Sequence, residues 1–168
     1  MIKVCIADNY PVVHFGVKSY FKDNADISIV ANVGNFLMVR DILQTKDIDV
    51  LVLDLELEGL SSIFEVKAVL KNFPKTKIII FSGLSEQIYA PNAIKAGVSG
   101  FVHKSEKLET LGISIIKVYQ GKIIMNETVK KNLALIAKQS KSERLYRKLS
   151  NREVEVLRYL SRGKKNNE

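Results

Sequence analysis

Five times in its first 118 residues the chain runs a short apolar stretch into a segment with helical spacing, and this repeat constrains the fold more than any other feature. The stretches are KVCIA with its flanks (2–7), SIVANV (28–33), DVLVL (49–53), KIIIF (77–81) and SGFV (99–102). After the first, Asp8 and Asn9 end the strand, Pro11 suits a first helical turn, and Val13, Val17, Tyr20 and Phe21 recur at helical spacing. The later partners are a helix through Leu43, one from about Ser62 to Asn72, one to Ala96, and one carrying Leu108, Leu111, Ile115 and Val118 on a single face. Strands without polar alternation need cover on both faces, and a parallel crossover needs a connection about as long as a helix. The expected fold class is therefore α/β: a doubly wound, five-stranded parallel sheet.

Past Gly121 a further helix is predicted from Glu127 to about Lys138, with Val129, Leu133 and Ile136 on one face. The stretch KQSKSERLYRK (138–148) is polar and unpatterned and reads as a linker. Ser150 then stands at a helix N-cap with Glu153 three residues on, followed by Val154, Leu157 and Leu160, with Gly163 as a stop. The domains predicted are residues 1–125, a helical and basic linker over 126–148, and the start of a small helical domain over 149–168.

Charge divides along the same boundary. Residues 1–125 carry 14 Lys/Arg against 13 Asp/Glu, whereas residues 126–168 carry 12 against 5, a net +7. A basic tail behind a neutral domain suggests a polyanion such as nucleic acid, with a solvated linker as the plainer alternative. No apolar run approaches the ~20 residues that span a bilayer, and the N-terminus MIKVCIADNY carries no leader pattern, so a cytoplasmic protein without membrane insertion is expected. The single cysteine, Cys5, lies within a strand and reads as a buried structural thiol.

In a doubly wound sheet, ligands bind beyond the carboxyl ends of the strands. At those ends stand Asp8 with Asn9, Asp54, Ser82 and Lys104. The carboxylates are hard oxygen donors suited to Mg2+, which keeps several waters and takes one or two carboxylates plus a phosphate. Asp54 can act as nucleophile in phosphoryl transfer once a metal and Lys104 neutralise the transferring group, and Ser82 can hydrogen-bond a phosphoryl oxygen. Each residue alone is more often a cap or surface group; their joint position at strand ends favours a site. His14 and His103 lack metal-ligand spacing and read as structural.

The segments ADNYPVVHFGV, LDLELEGLSS, FSG and GFVHKS together resemble response-regulator receivers, and LSNREVEVLRYLSRGKKNNE resembles the opening of a LuxR-type helix-turn-helix, the mark of the NarL/FixJ class of two-component regulators. The resemblance implies a flavodoxin-like receiver, phosphorylation of Asp54 by a sensor histidine kinase, Phe101 as an aromatic switch residue acting with Ser82, a homodimer, and DNA binding as output. It implies a regulator rather than a turnover enzyme. The chain departs from the family pattern at Asn9, where the family has a second acid contacting the metal, and at Glu58, where it has Pro. The metal set expected is Asp8, Asn9, Asp54 and the backbone carbonyl of Glu56, with weakened Mg2+ binding; the alternative is that the Glu56 side chain restores the missing charge.

Two rival functions remain open on the sequence. One is a pseudo-receiver working through phosphorylation-independent dimer or partner contacts, suggested by Asn9 and Glu58. The other is a flavodoxin-like nucleotide or flavin binder, against which stands the absence of a glycine-rich loop after the first strand, where the chain has ADNYP. The base-reading second helix of a helix-turn-helix is not part of the sequence, so the DNA-contacting residues are unknown and the chain alone is expected not to read sequence.

Overall fold

The computed structural model describes residues 1–138, with side chains to residue 134. The expectations for Leu133 are within this range; those for the later linker, Ser150, Glu153 and the helical start over 149–168 lie outside the described residues. Met1–Val129 form one compact unit.

The strands are β1 (Ile2–Ala7), β2 (Ile27–Val33), β3 (Val50–Leu53), β4 (Lys77–Ser82) and β5 (Gly100–His103). The helices are α1 (Pro11–Tyr20), α2 (Phe36–Thr45), α3 (Ile63–Asn72), α4 (Glu86–Ala96), α5 (Leu108–Tyr119) and α6 (Glu127–Lys138). All strand pairs are parallel, in the order β2-β1-β3-β4-β5. The winding reverses at β1, which has β2 on one side and β3 on the other. The crevice at such a reversal lies beyond the carboxyl ends of β1 and β3, where Asp8 and Asp54 follow their strands.

The predicted burial of both sheet faces is realised. On one face Ile2, Val4, Ile6, Val50, Val52, Ile79, Phe81 and Val102 pack with Val17 of α1, with Phe21 just after it, and with Leu111, Ile115 and Val118 of α5. The intervening strand residues, Cys5, Leu51, Leu53, Ile78, Ile80 and Phe101, are equally buried and point to the opposite face, as do Val39, Val66, Val69, Ala90 and Ala93 from α2, α3 and α4. Each large aliphatic side chain so buried contributes about 1.5–3 kcal/mol. Burial pushes the Cys5 thiol up to about 12 despite the nearby Lys46 cation, so Cys5 is an inert core residue, as expected from its position.

Strand ends differ from the sequence reading by a residue or so. β2 begins at Ile27, paired with Ile2, and β4 runs on through Ser82, paired with His103 of β5. Pro91 lies inside α4, where a proline tends to kink or break a helix, yet α4 continues as eleven residues across it. Only one backbone donor is missing, and the buried Ala90 and Ala93 on either side hold the turn in place. α3 starts where the Glu65 carboxylate accepts the backbone N–H groups of Ser61 (2.6 Å) and Ser62 (3.2 Å), which hold its pKa below the usual carboxylate value. Beyond α5 the chain crosses the open edge of β5: Ile124 donates to the Ser99 carbonyl and accepts from Phe101 N–H, a bridge at Gly100 that covers the edge. α6 starts within this compact unit, where Asn126 Oδ1 accepts the N–H of the buried Val129 (2.8 Å) and Asn126 N–H donates to Glu86 Oε1 (3.0 Å).

Candidate functional site

The carboxyl ends of the strands bring Asp8, Asp54 and Lys104 into direct contact. Backbone bonds fix their level: Asp8 N–H donates to Val33 O, Asp54 N–H to Ala7 O, and Lys104 N–H to Ser82 O, each extending a ladder by one step past its strand. The Lys104 ammonium lies 2.6 Å from Asp54 Oδ2 and 2.7 Å from Asp8 Oδ2, bridging two carboxylates that are only 1% exposed. Each carboxylate turns its other oxygen to the loop after its own strand: Asp8 Oδ1 accepts Tyr10 N–H (2.9 Å) and Asp54 Oδ1 accepts Glu56 N–H (3.2 Å). Burial acts to lower the Lys104 pKa, but the hydrogen bonds and charges of Asp54 and Asp8 outweigh it and hold the ammonium above the ordinary lysine value. Two anions and one cation leave the cluster with a formal charge of −1, which favours a further cation.

Asn9 and Glu56 take positions that the sequence did not reveal. Asn9 Oδ1 accepts Glu58 N–H (2.6 Å), and Asn9 Nδ2 donates to the Glu56 carbonyl (2.7 Å). Both polar atoms of Asn9 thus engage the β3–α3 loop, and the carbonyl expected to face a metal is the one that Asn9 holds.

Ser82 is fully buried and its Oγ accepts Leu84 N–H (3.3 Å), tying the hydroxyl to the loop that leads into α4. Phe101, the expected switch aromatic, is buried in β5 opposite Ile80, two residues before the Ser82–His103 pair. Two further residues join the site that sequence reasoning missed. The Tyr10 ring centroid lies 5.3 Å from Lys104 Nζ, a cation–π contact at the mouth of the site. His103, read as structural, accepts Ser105 N–H at Nδ1 (3.2 Å), which places the proton on Nε2 to donate to Gly83 O (3.0 Å). It therefore joins the end of β5 to the same loop that Ser82 holds. The only sequence signal for Tyr10 and His103 is adjacency to Asn9 and Lys104. His14 remains outside the site, its buried Nε2 without a hydrogen-bond partner among the described residues.

The donor set fits Mg2+ in kind: two carboxylates and a backbone carbonyl are hard oxygens, and this cation completes its shell with water and phosphate. Among the described residues no cluster of three or more His, Cys, Asp or Glu side chains is placed to hold a metal ion. A concavity of about 400 Å³ lies elsewhere, at the opposite end of the strands, lined by residues such as Lys3, Asp49, Phe73 and Lys75.

A family model for the response regulator receiver domain matches residues 4–116. The Fimbriae Z protein of Salmonella typhimurium is 31% identical over 166 residues, covering 98% of this chain and 78% of that protein. The oxygen regulatory protein NreC of Staphylococcus epidermidis is 28% identical over 172 residues, covering 96% and 78%. Among solved structures, RcsB of Salmonella enterica bound to promoter rprA in the presence of phosphomimetic BeF3- has a TM-score of 0.71 at 24% identity, over 97% of this chain and 78% of that one. A LuxR-family response regulator from Aurantimonas superposes with a TM-score of 0.71 at 22% identity, over 82% and 98%. At these identities the two structures speak to the fold alone, and they share the five-stranded parallel arrangement. The chain belongs to the response regulator receiver family. It is a response regulator of a two-component system, of the class its sequence resembles. Receiver domains typically bind Mg2+. No helix among the described residues is long and apolar enough to cross a membrane.

Proposed function

We propose that Asp54 is the phosphoacceptor and that its phosphorylation by a sensor histidine kinase controls a DNA-binding output. The observation that carries this reading is the buried Asp54 carboxylate, 2.6 Å from an ammonium that also reaches Asp8. A carboxylate oxygen of Asp54 attacks phosphorus, the bond from phosphorus to the donor's nitrogen breaks, and the donor leaves. Lys104 moves from Asp54 toward the phosphoryl oxygens and offsets their charge, while Tyr10 keeps the ammonium near the mouth. Asp8, Asp54 and the Glu56 carbonyl would hold Mg2+, which when bound supplies charge neutralisation and orientation for the transferring group. Self-phosphorylation is thus the only chemistry proposed for the chain.

Ser82 is the group that reads the result. A phosphoryl oxygen accepts the Ser82 O–H and draws the hydroxyl away from Leu84 N–H, so the loop held by Ser82 and by His103 shifts, and the buried Phe101 repacks with it. The basic segment 126–168, net +7, supplies attraction to DNA phosphates, and a homodimer would place two such segments on a two-fold site. A cytoplasmic location fits a partner kinase that donates phosphate from inside the cell. One observation favours a second reading, the pseudo-receiver: the Asn9 amide already satisfies the loop that a metal would order.

Trifluoroberyllate, a phosphoryl mimic, separates the two readings. With Mg2+ it is expected to shift backbone resonances at Ser82, Gly83, Leu84 and Phe101, and to leave them unchanged in Asp54→Asn. Unchanged spectra in the parent chain would leave the pseudo-receiver as the function.

A further inference from the structure

The two Asn9 bonds have an unusual chemistry, because they link the β1–α1 loop to backbone groups 47 and 49 residues away on either side of Leu57. Their direction is fixed without reference to hydrogen positions. Glu58 N–H can only donate and the Glu56 carbonyl can only accept, so Asn9 must present oxygen to the first and nitrogen to the second. An amide is the side chain that does both at once. An aspartate at the same place could keep the Glu58 bond, but its second oxygen would face the Glu56 carbonyl oxygen, a repulsive pair unless a cation stands between them.

The loop so held is otherwise well determined. Glu58 O accepts Phe36 N–H (2.7 Å), Leu57 is buried at 2% exposure, Glu56 N–H reaches Asp54, and Gly59 takes a left-handed φ of +83° that lets the chain turn away. Asn9 supplies the tie on its outer side.

We propose that Asn9 is a positioning residue, an amide clamp that holds the β3–α3 loop closed without a divalent cation and competes with Mg2+ for the Glu56 carbonyl. The second half rests on the reading of Asp8, Asp54 and Glu56 as the cation site. The N–H dipole of Asn9 points at the oxygen that the cation would use, and that positive end opposes a divalent charge there. Mg2+ binding therefore requires the Asn9 amide to turn away, which releases Glu58 N–H as well. In this chain the cation loosens the clamp, whereas with an acid at position 9 the cation would tighten the loop.

The test is backbone amide exchange at Glu58 in the full chain, with EDTA and along a Mg2+ titration, for the parent, Asn9→Asp and Asn9→Ala. Exchange at core amides of β3 and β4 serves as the check that each variant is folded. The parent is expected to protect Glu58 in EDTA and lose protection as Mg2+ saturates. Asn9→Asp is expected to show the reverse order, with Mg2+ affinity higher by about tenfold or more, and Asn9→Ala to be unprotected in EDTA. Equal Glu58 protection in the parent and Asn9→Ala would overturn the clamp. Protection in the parent that survives saturating Mg2+, or equal Mg2+ affinity in the parent and Asn9→Asp, would overturn the competition. Failure of both proteins to bind Mg2+ would overturn the competition together with the cation reading of the site, while the EDTA comparison still decides the clamp.

Discussion

Lys104 has two tasks that are separable by measurement. It neutralises buried carboxylates in the resting fold, and in the proposed function it neutralises a phosphoryl group. Replacing it by Met leaves Asp8 and Asp54 buried against each other, and removal of one partner from a buried ion pair costs about 3–5 kcal/mol. Lys104→Met is therefore expected to lower unfolding free energy by about 3 kcal/mol in EDTA, measured by urea titration, with part regained in Mg2+. The pH dependence follows from the raised Lys104 pKa. A cation favoured in the folded state contributes fully below the unfolded value of about 10.4 and its contribution disappears as pH rises through the higher folded one. The gap between parent and variant should thus be level from about pH 7 to about pH 9 and narrow only above about pH 10.4. Asp8, Asp54, Ser82 and Lys104 were legible in the sequence because each ends or follows an apolar strand. The bonds of Asn9 were not, since their partners lie 47 and 49 residues off in a loop without periodicity.

Among the elements, α5 meets Phe21, the residue that caps α1, at Gly112. A Cβ there would lie 2.9 Å from Cε1 of Phe21, whose ring is buried and packed edge-on against Tyr20 at 4.9 Å. Ala is preferred over Gly inside a helix by about 0.8–1.0 kcal/mol, but overpacking a core costs about 1–3 kcal/mol. Gly112→Ala is expected to destabilise by about 1 kcal/mol, which thermal or urea unfolding will read; a gain in stability would mean that Phe21 moves freely. The strands could be read from sequence because a buried parallel strand is an unbroken apolar run. The continuous α4 across Pro91 could not, because its stability comes from the packing of Ala90 and Ala93. The bridge from Ile124 to Gly100 was equally hidden, since a single paired residue leaves no pattern.

For the whole molecule, charge separates the neutral receiver from the basic segment over 126–168. If that segment meets DNA, affinity should fall steeply with salt, and replacing Arg144, Arg147 and Lys148 by Gln should reduce the log–log salt slope by about 0.9 for each phosphate that is no longer neutralised. Fluorescence anisotropy of a labelled duplex at several salt concentrations measures it, and an unchanged slope would place the DNA-binding surface elsewhere. All of this serves a switch only if Asp54 accepts phosphate. The most direct test is intact mass after incubation with a small phosphodonor and Mg2+, for the parent chain and Asp54→Asn. The account predicts one acid-labile phosphoryl group on the parent, dependent on Mg2+ and absent from Asp54→Asn; a phosphoryl group retained by Asp54→Asn, or none on the parent at saturating donor and Mg2+, would contradict it.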